Sequence, residues 1–346
     1  MVMRGGTSKG LYFLAEDLPT DVSDRDRFLM GVMGTPDPRQ IDGLGGAHPL
    51  TSKVAVVSRC AHGSADVDYL FLQLGVDEAL VTDRQNCGNL LAGIGPFAVE
   101  RGIVEPTGVA RIHMLNTDGL ATATFPVSEG LPVYAGDTAI SGVPGTAAAI
   151  TIEFGNIAGG STGSLLPTGN VEDFVAGVPV TMIDNGMPVV VMRASDVGVT
   201  GYESCDELEQ DGALRALLEE IRLASGPMMG LGDVTDLTIP KLTMVSRPKE
   251  GGHLSTRTFI PHRCHQAIGV LGAVSVATAA LLPGSPAGED LQRGDEGDHV
   301  ILEHPTGAFE VVVRLALSDD RPWVERSGIV RTARKLMDGL VFPRSN

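Results

Sequence analysis

The chain has 346 residues, of which 43% are hydrophobic and 20% charged, as is typical of a globular protein with one large domain or two ordinary ones. The formal net charge of −17 argues against nucleic acid and anionic membranes as partners, because the field of the protein repels phosphate groups. A small anionic substrate remains compatible, since a few cations and helix N-termini can form a local positive pocket.

The first part of the chain predicts strands, one surface helix and one unusual helix. Residues 21–34 predict a helix, and alternating or β-branched stretches predict strands at 53–58, 66–74, 110–116 and 120–127. The turn residues of GVPGTAAAITIEF (142–154) lead into a further strand. The uncharged stretch from Gly88 to Ala98 predicts a helix that is apolar on every face and must therefore be surrounded. Pro96 should kink or end this helix.

The second part of the chain repeats this order. Strands are predicted at 179–184, 188–194, 241–246, 254–260, 299–304 and 309–317. Residues 206–226 predict an amphipathic surface helix, and 266–282 a second helix that is apolar all round. The latter is shorter than the roughly 20 strongly apolar residues that a membrane span needs, so we expect a buried helix of a non-membrane protein.

A cysteine precedes each apolar helix, Cys87 in the first case and Cys264 in the second. Strands, thiol, apolar helix and further strands thus occur twice, which indicates an internal duplication. We expect an α+β protein with two similar halves, each a sheet wrapped around its apolar helix. The first half is predicted over 1–145, rejoined by a C-terminal strand in 325–346, and the second over 146–324.

The cysteines and the N-terminal residues indicate in which cellular compartment the protein is found. Cys60, Cys87, Cys205 and Cys264 contain no CxxC pair, and the N-terminal residues lack the apolar core of a signal peptide. Reduced thiols in a cytoplasmic protein are the resulting expectation.

Cys87 and Lys53 are the strongest candidates for chemistry. A thiol at a helix N-terminus experiences the positive end of the helix dipole, which favours the thiolate. Lys53 opens an apolar strand after a glycine-rich loop, where partial burial would suit a proton-transfer role. The alternatives are a small buried apolar residue for Cys87 and a solvated strand end for Lys53.

Three polar segments are candidates for ligand binding. The loop RGGTSKG (4–10) does not fit the phosphate-binding GxxxxGK[ST] pattern, but its small polar residues could hold a carboxylate. Asn185 stands in an Asn-Gly pair between two strands, where a plain turn is the alternative. PHRCHQ (261–266) contains His262, Cys264 and His265, but no second ligand cluster at zinc spacing accompanies them, so we expect no metal site.

Longer motifs resemble a known family. The motifs MRGGTSKG, IDGLGGAHPLTSKVAVVS, NCGNLLAGIGPFAVERG, LLPTGN, IDNGMPVV, STRTFIPHRCHQAIGV and RTARKLMDG extend over essentially the whole chain. They are similar to the PrpF (methylaconitate isomerase) family, and within it to the tautomerases of 4-oxalomesaconate in gallate-type aromatic degradation. The resemblance implies a diaminopimelate epimerase-like fold, with two pseudo-symmetric halves that are each a β-barrel-like sheet around a central helix.

The resemblance also implies chemistry and site residues. The family's catalytic lysine and cysteine fall on Lys53 and Cys87, and the expected reaction is a cofactor-independent keto–enol conversion of an unsaturated tricarboxylate. We expect the substrate, a di- or tricarboxylate, to be bound by Arg4, Gly6, Thr7, Ser8, Gly88, Asn89, Asn185, Ser255, Arg257, Cys264 and His265. Arg4 and Arg257 suit fork-like carboxylate binding. No metal or cofactor is expected, and a homodimer is plausible for such folds.

Other functions remain open on the sequence alone. An allylic isomerase acting on aconitate or methylaconitate would need the same catalytic pair and a different pocket. A non-catalytic carboxylate-binding protein of the same fold would have no use for both Lys53 and Cys87. An amino-acid epimerase would need a second glycine-rich cysteine motif, but His265 and Gln266 follow Cys264 instead.

Overall fold

The structure, a computed structural model, describes residues 1–84, 86–294, 297–318 and 321–344. The described strands pair mostly antiparallel and are accompanied by few helices, so the predicted α+β class is confirmed. The chain forms two compact units, one of Met1–Gly155 with Val330–Asn346 and the other of Asn156–Ile329. The boundaries between the units therefore fall between residues 155 and 156 and between residues 329 and 330. The sequence analysis placed them between 145 and 146 and between 324 and 325.

The first unit combines ten strands of its own with the end of the last strand of the chain. The strands are β1 Val2–Gly5, β2 Ser8–Leu14, β3 Lys53–Arg59, β4 Val67–Leu74, β5 Val81–Thr82, β6 Val109–Met114, β7 Gly119–Thr124, β8 Val127–Ser128, β9 Leu131–Pro132 and β10 Ala149–Gly155. The helices are α1 Val22–Met33, α2 Gly88–Leu91 and α3 Ile94–Glu100. These counts and bounds refer to the described residues.

The second unit has longer helices. Its strands are β11 Asp173–Val175, β12 Val178–Asp184, β13 Pro188–Arg193, β14 Lys241–Ser246, β15 Leu254–Phe259, β16 His299–His304 and β17 Gly307–Ser318. Its helices are α4 Cys205–Gln210, α5 Gly212–Met228 and α6 Val270–Leu281. The last strand, β18 Arg321–Met337, pairs with β17 through its first part and with β1 through its last part.

Both units share one pairing order. In the first, β1/β2 is antiparallel, β2/β3 parallel, β3/β4 antiparallel, β4/β6 parallel, and β6/β7 and β7/β10 antiparallel. In the second, β12/β13, β13/β14, β14/β15, β15/β16, β16/β17 and β17/β18 follow the same alternation. The duplication predicted from the order of the elements is thus present in the topology of the strands.

The apolar helix of the first unit is two short helices. It was predicted as one helix over 88–98, but the structure has α2 and then α3, with Ala92 and Gly93 between them. Pro96 lies in the first turn of α3, and the interruption includes Ala92, the residue whose carbonyl would have accepted a hydrogen bond from an N–H at position 96, so the expected break in the helix is present. Together α2 and α3 contact β1, β2, β3, β6 and β7, which surround them as their composition requires.

The apolar helix of the second unit begins later than predicted. It starts at Val270 rather than 266, because the preceding residues return along β15. The amide of His265 donates to the carbonyl of Thr258, and Cys264 forms an antiparallel bridge with Phe259. Cys264 is therefore not at the start of a helix; Gly269 is the residue that directly precedes α6.

The predicted helix over 206–226 is also divided. Asp211 ends α4 and caps α5, since its carboxylate accepts a hydrogen bond from the amide of Leu214. Ser204 and Glu207 form a capping box at the start of α4. Both helices cover a core that includes Met182, Met192 and Leu218. Among the described helices, none has both the length and the apolarity required to cross a bilayer.

Candidate active site

Lys53 and Cys87 are in direct contact within the first unit. The Nζ of Lys53 donates a hydrogen bond to the Sγ of Cys87 over 3.3 Å. Both side chains are buried, with exposed fractions of 8% and 6%. An amine and a thiol that share a hydrogen bond away from bulk water can exchange a proton directly, which is the central chemical property of this site.

Strand β3 determines where the lysine lies. Lys53 is its first residue and pairs with Gly10 of the parallel neighbour β2. A Cβ at position 10 would lie 2.9 Å from the carbonyl oxygen of Lys53 and 2.8 Å from a methyl group of Leu90, so only glycine allows this close approach. The Nζ lies 5.4 Å from the centre of the Phe71 ring, a cation–π contact that stabilises the buried ammonium.

Two tyrosines hold the backbone around the thiol. The hydroxyl of Tyr69 donates to the carbonyl of Cys87 over 3.4 Å, and the hydroxyl of Tyr12 donates to the carbonyl of Leu90 over 2.7 Å. Burial, and then the electrostatic effect of the neighbouring Cys87, raise the pKa of each phenol well above its ordinary value. Both therefore act as neutral hydrogen-bond donors. The amide of Cys87 itself donates to the side-chain oxygen of Asn86 over 2.8 Å.

The glycine-rich turn between β1 and β2 packs on the turn that follows Cys87. The Nδ2 of Asn89 donates to the hydroxyl of Thr7 over 3.1 Å, and the Oδ1 of Asn89 accepts from the amide of Thr7 over 3.4 Å. Gly6 has a φ of 50°, and a Cβ there would lie 2.2 Å from the Oδ1 of Asn89. The predicted residues Gly6, Thr7, Gly88 and Asn89 are thus brought together.

Ser8 has a buried hydroxyl group that lacks a hydrogen-bond partner among the described residues. It begins β2 two residues before Gly10, so it points to the same side of the sheet as the residue that pairs with Lys53. Its Oγ is buried and has no hydrogen-bond partner among the described residues. A buried hydroxyl without a partner is costly, and a ligand carboxylate would satisfy it.

Arg4 lies elsewhere. It pairs with Lys9 of β2 and with Arg334 of β18, and these side chains project from the face of the sheet opposite to Gly10 and Lys53. Its Nη1 donates to the carbonyl of Gly6 and to the carbonyl and hydroxyl of Thr332. The expectation that Arg4 binds a carboxylate beside the catalytic pair is therefore wrong, because strand alternation directs its side chain away.

The predicted residues of the second unit have partners of their own. The side-chain Nδ2 of Asn185 donates to the hydroxyls of Thr278 and Ser327, so this buried side chain joins the turn after β12 to α6 and β18. The guanidinium of Arg257 donates to the backbone carbonyls of Glu203 and Thr256. Ser255 is buried within β15. A ligand role for these residues remains a prediction.

Cys264, His265 and His262 do not converge. Cys264 lies in the core of the second unit next to Cys205, and burial, then a hydrogen bond with Cys205, raise the pKa of its thiol. The Nδ1 of His265 accepts from the amide of Ala267, and His262 faces Glu219 over 3.6 Å. The duplicated topology places Gly269, not Cys264, at the position that corresponds to Cys87.

The comparisons with known proteins agree with one another. The family model described as PrpF protein matches residues 1–344. The chain is 58% identical to "(4E)-oxalomesaconate Delta-isomerase" of Novosphingobium sp. (strain KA1), over 99% of this chain and 96% of that protein. It is 55% identical to "4-oxalomesaconate tautomerase" of Pseudomonas putida (strain KT2440), over 99% and 94%.

The chain belongs to the PrpF family. A crystal structure of a methylitaconate-delta-isomerase superposes with a TM-score of 0.88 at 35% identity, covering 98% of this chain and 93% of that one. A PrpF relative at the same level of identity, 35%, is "2-methyl-aconitate isomerase" of Shewanella oneidensis (strain MR-1), over 98% of this chain and 95% of that protein. The resemblance to the PrpF family noted in the sequence is thereby confirmed.

Tyr12 and Tyr69, which hydrogen-bond to the backbone around Cys87, are residues that the sequence analysis missed. Each stands inside an apolar strand, where an aromatic residue is ordinary core. The available signal was chemical, because a buried tyrosine hydroxyl needs a hydrogen-bond partner. Which backbone carbonyl it would meet depends on packing between distant segments, and no local pattern reveals that.

Proposed function

We propose that the protein is a cofactor-independent isomerase that converts the keto form of 4-oxalomesaconate to its enol, with Lys53 and Cys87 as the acid–base pair. The observation that carries the proposal is the buried contact of 3.3 Å between the Nζ of Lys53 and the Sγ of Cys87. The substrate is suggested by the names of the two PrpF relatives that are 58% and 55% identical to this chain.

The contact lets the two groups take complementary roles. In the assignment that we propose, the sulfur of Cys87 takes a proton and the amine of Lys53 gives one. In the proposed reaction Cys87 removes a proton from the carbon next to the keto group. The electron pair of that C–H bond moves into a conjugated dienolate, and Lys53 then protonates the oxygen to give the enol.

The direct contact between Lys53 and Cys87 also allows their starting protonation states to be restored after each turnover. After one turnover Cys87 carries the proton taken from carbon, and Lys53 lacks the proton given to oxygen. Transfer across the 3.3 Å contact returns each group to its original form without a further reactant. The buried hydroxyl of Ser8 and the Gly6–Asn89 turn would hold substrate carboxylates on the same side of the sheet.

A substrate panel tests the proposed specificity. We expect kcat/KM for 4-oxalomesaconate to exceed that for 2-methyl-aconitate and for methylitaconate by at least about 100-fold, because a site that hydrogen-bonds the oxo group rejects analogues that lack it more strongly than a difference of one methyl group would. Equal or better turnover of either methylated acid would overturn the assignment of the substrate and leave the catalytic pair in place.

Variants of the pair test the mechanism independently of the substrate. Cys87→Ala and Lys53→Ala should each reduce turnover by about 100-fold or more, as expected when a general acid or base is removed. Cys87→Ser keeps a hydrogen-bonding atom at this position and controls for packing. Full activity of both alanine variants, with unchanged thermal unfolding, would refute the assigned roles.

Double-bond migration is the second candidate reaction. It is favoured by the name of the relative from Novosphingobium, a Delta-isomerase of the same carbon skeleton. The proton would be removed as above and returned to carbon rather than to oxygen. NMR spectroscopy in D₂O separates the two reactions, because double-bond migration leaves deuterium at a new C–H position from the first turnover, whereas the enol carries it on exchangeable oxygen.

The wider setting follows from the same assignment. We place the reaction in the breakdown of gallate-type aromatic compounds, and in the cytoplasm, where the free thiols of Cys60, Cys87, Cys205 and Cys264 are stable. The acidic charge of −17 supports a small carboxylate as the ligand rather than nucleic acid or an anionic membrane. A homodimer remains a prediction.

A further inference from the structure

Cations of three neighbouring strands lie side by side on the outer face of the first unit. Arg4 of β1 pairs directly with Lys9 of β2 on one side and with Arg334 of β18 on the other. Like charges that face each other across strands destabilise a sheet. Among the described residues, no carboxylate forms an ion pair with any of the three. In a chain with a net charge of −17, this uncompensated row of cations calls for an explanation.

These cations line a cavity of about 520 Å³, which we call the cationic cavity. The segment that covers it contributes apolar side chains. The lining includes Arg4, Lys9, Arg334, Ile140, Val143 and Leu336, and the described lining contains no Asp or Glu. The size is that of a site for a small organic molecule.

Arg4 is fixed in place with hydrogen-bonding capacity to spare. Its Nη1 is bonded to Gly6 and Thr332, while none of the described residues accepts a hydrogen bond from its Nε or Nη2. Burial, and then the charge of Arg334, lower the pKa of this guanidinium from its usual value. A bound anion would relieve this repulsion and use the free donors.

We propose that the cationic cavity binds an organic polycarboxylate at a site separate from Lys53 and Cys87. The row of Arg4, Lys9 and Arg334 would receive carboxylates, and Ile140, Val143 and Leu336 would contact the hydrocarbon skeleton. The apolar half of the lining favours an organic acid over inorganic phosphate, which has no apolar surface to bury. Strand alternation separates this site from the catalytic pair, because Lys9 and Gly10 point to opposite faces of β2.

Citrate is a suitable probe, and hydrogen exchange followed by mass spectrometry shows where it binds. At constant ionic strength, citrate should slow exchange in the peptides that cover 134–147 and 330–337, and sodium chloride should not. Arg334→Gln and Lys9→Gln should each weaken this protection at least tenfold in citrate concentration. Neither residue belongs to the proposed catalytic machinery, so basal turnover should remain within about twofold, the ordinary scatter of surface substitutions.

Arg39→Gln is the matched control, since it removes one exposed positive charge from the same unit at a distance along the chain from the cationic cavity. It should leave the protection unchanged. The proposal is overturned by protection confined to the peptides around Cys87, by equal protection in Arg334→Gln and wild type, or by inorganic phosphate acting as well as citrate. The last outcome would indicate a simple anion site instead of a polycarboxylate site.

A second measurement keeps the test valid if a variant is less stable. Without ligand, Arg334→Gln should unfold at the same temperature as wild type or a higher one, because it removes a repulsion. With citrate, wild type should gain thermal stability and Arg334→Gln should not. A citrate-induced gain of the same size in both proteins would count against the cationic cavity.

Discussion

Single thiols in this protein differ strongly in their surroundings. Cys60 is half-buried, whereas Cys264 lies in the core of the second unit beside Cys205. Burial and the neighbouring thiol raise the pKa of Cys264, and the thiolate is the form that reacts. The environment thus predicts reactivity where the mere presence of a cysteine does not.

We expect iodoacetamide at pH 8 to modify Cys60 and to leave Cys264 unmodified in the native protein, as mass spectrometry of tryptic peptides would show. Cys264→Ala should keep kcat/KM within about threefold, because a core truncation acts mainly on stability. Rapid alkylation of Cys264, or a loss of turnover by that variant comparable to that of Cys87→Ala, would restore the original expectation that Cys264 contacts the ligand.

His113 makes a pH-dependent contribution to the free energy of unfolding. Hydrogen bonds with Asp118 over 2.8 Å and with Asp68 over 3.0 Å raise its pKa above the usual value. A raised pKa in the folded state means that the charged form stabilises the fold. This contribution is complete below the unfolded pKa of about 6.5 and is lost as pH rises through the higher folded value.

The urea midpoint of wild type should therefore fall more between pH 6 and pH 9 than that of His113→Gln. The effect should be small, since Asp118 is largely exposed to solvent. Identical pH profiles for the two proteins would show that the contacts with Asp118 and Asp68 do not raise the pKa of His113 in the folded state.

At the scale of elements, glycines in and beside the apolar helices have opposite roles. A Cβ at Gly93, between α2 and α3, would lie 2.5 Å from the hydroxyl of Tyr12, which is bonded to Leu90. A Cβ at Gly272, within α6, would meet no atom within 4 Å. Gly93 is thus required for the packing that holds the turn after Cys87, while Gly272 is only a flexible residue in a helix.

We expect Gly93→Ala to destabilise the protein by about 1–3 kcal/mol, the usual cost of overpacking. Gly272→Ala should stabilise it by about 0.5–1 kcal/mol through its better helix propensity. Thermal unfolding of both variants beside wild type measures the difference. Turnover should fall only in Gly93→Ala, and equal effects of the two substitutions would contradict the role of Gly93.

The same elements show what the sequence can and cannot predict. β3 and β14 were predicted well because β-branched runs bounded by turns are a local signal. The start of α6 was misplaced because Cys264 and His265 pair back onto β15, a contact that no helix pattern encodes. Arg4 was expected to bind a substrate carboxylate, but the face on which its side chain lies depends on the register of β1 against β2 and against β18 at the other end of the chain.

At the scale of the whole chain, the last strand connects the two ends of the sequence. Residues of β18 from Ala333 to Met337 pair with β1, and the carbonyl of Thr332 accepts from the amide of Gly6. Val330, Thr332 and Ala333 are buried. The glycine-rich turn that packs on the Cys87 segment therefore depends on residues more than 320 positions away in sequence.

Two truncations test this dependence. Ending the chain after Ile329 should abolish turnover, because β1 loses its partner and the Gly6 turn loses Thr332, leaving an exposed strand edge. Ending it after Gly339 keeps all of β18 and removes the exposed Leu340 and Phe342 together with the peripheral contacts of Val341 and Arg344, so stability should fall somewhat while most of the activity remains. Turnover and cooperative thermal unfolding would be measured for both proteins. If the chain ending at Ile329 retained wild-type turnover, the Lys53–Cys87 site would not need the last strand, and the placement of β18 beside β1 would be in error.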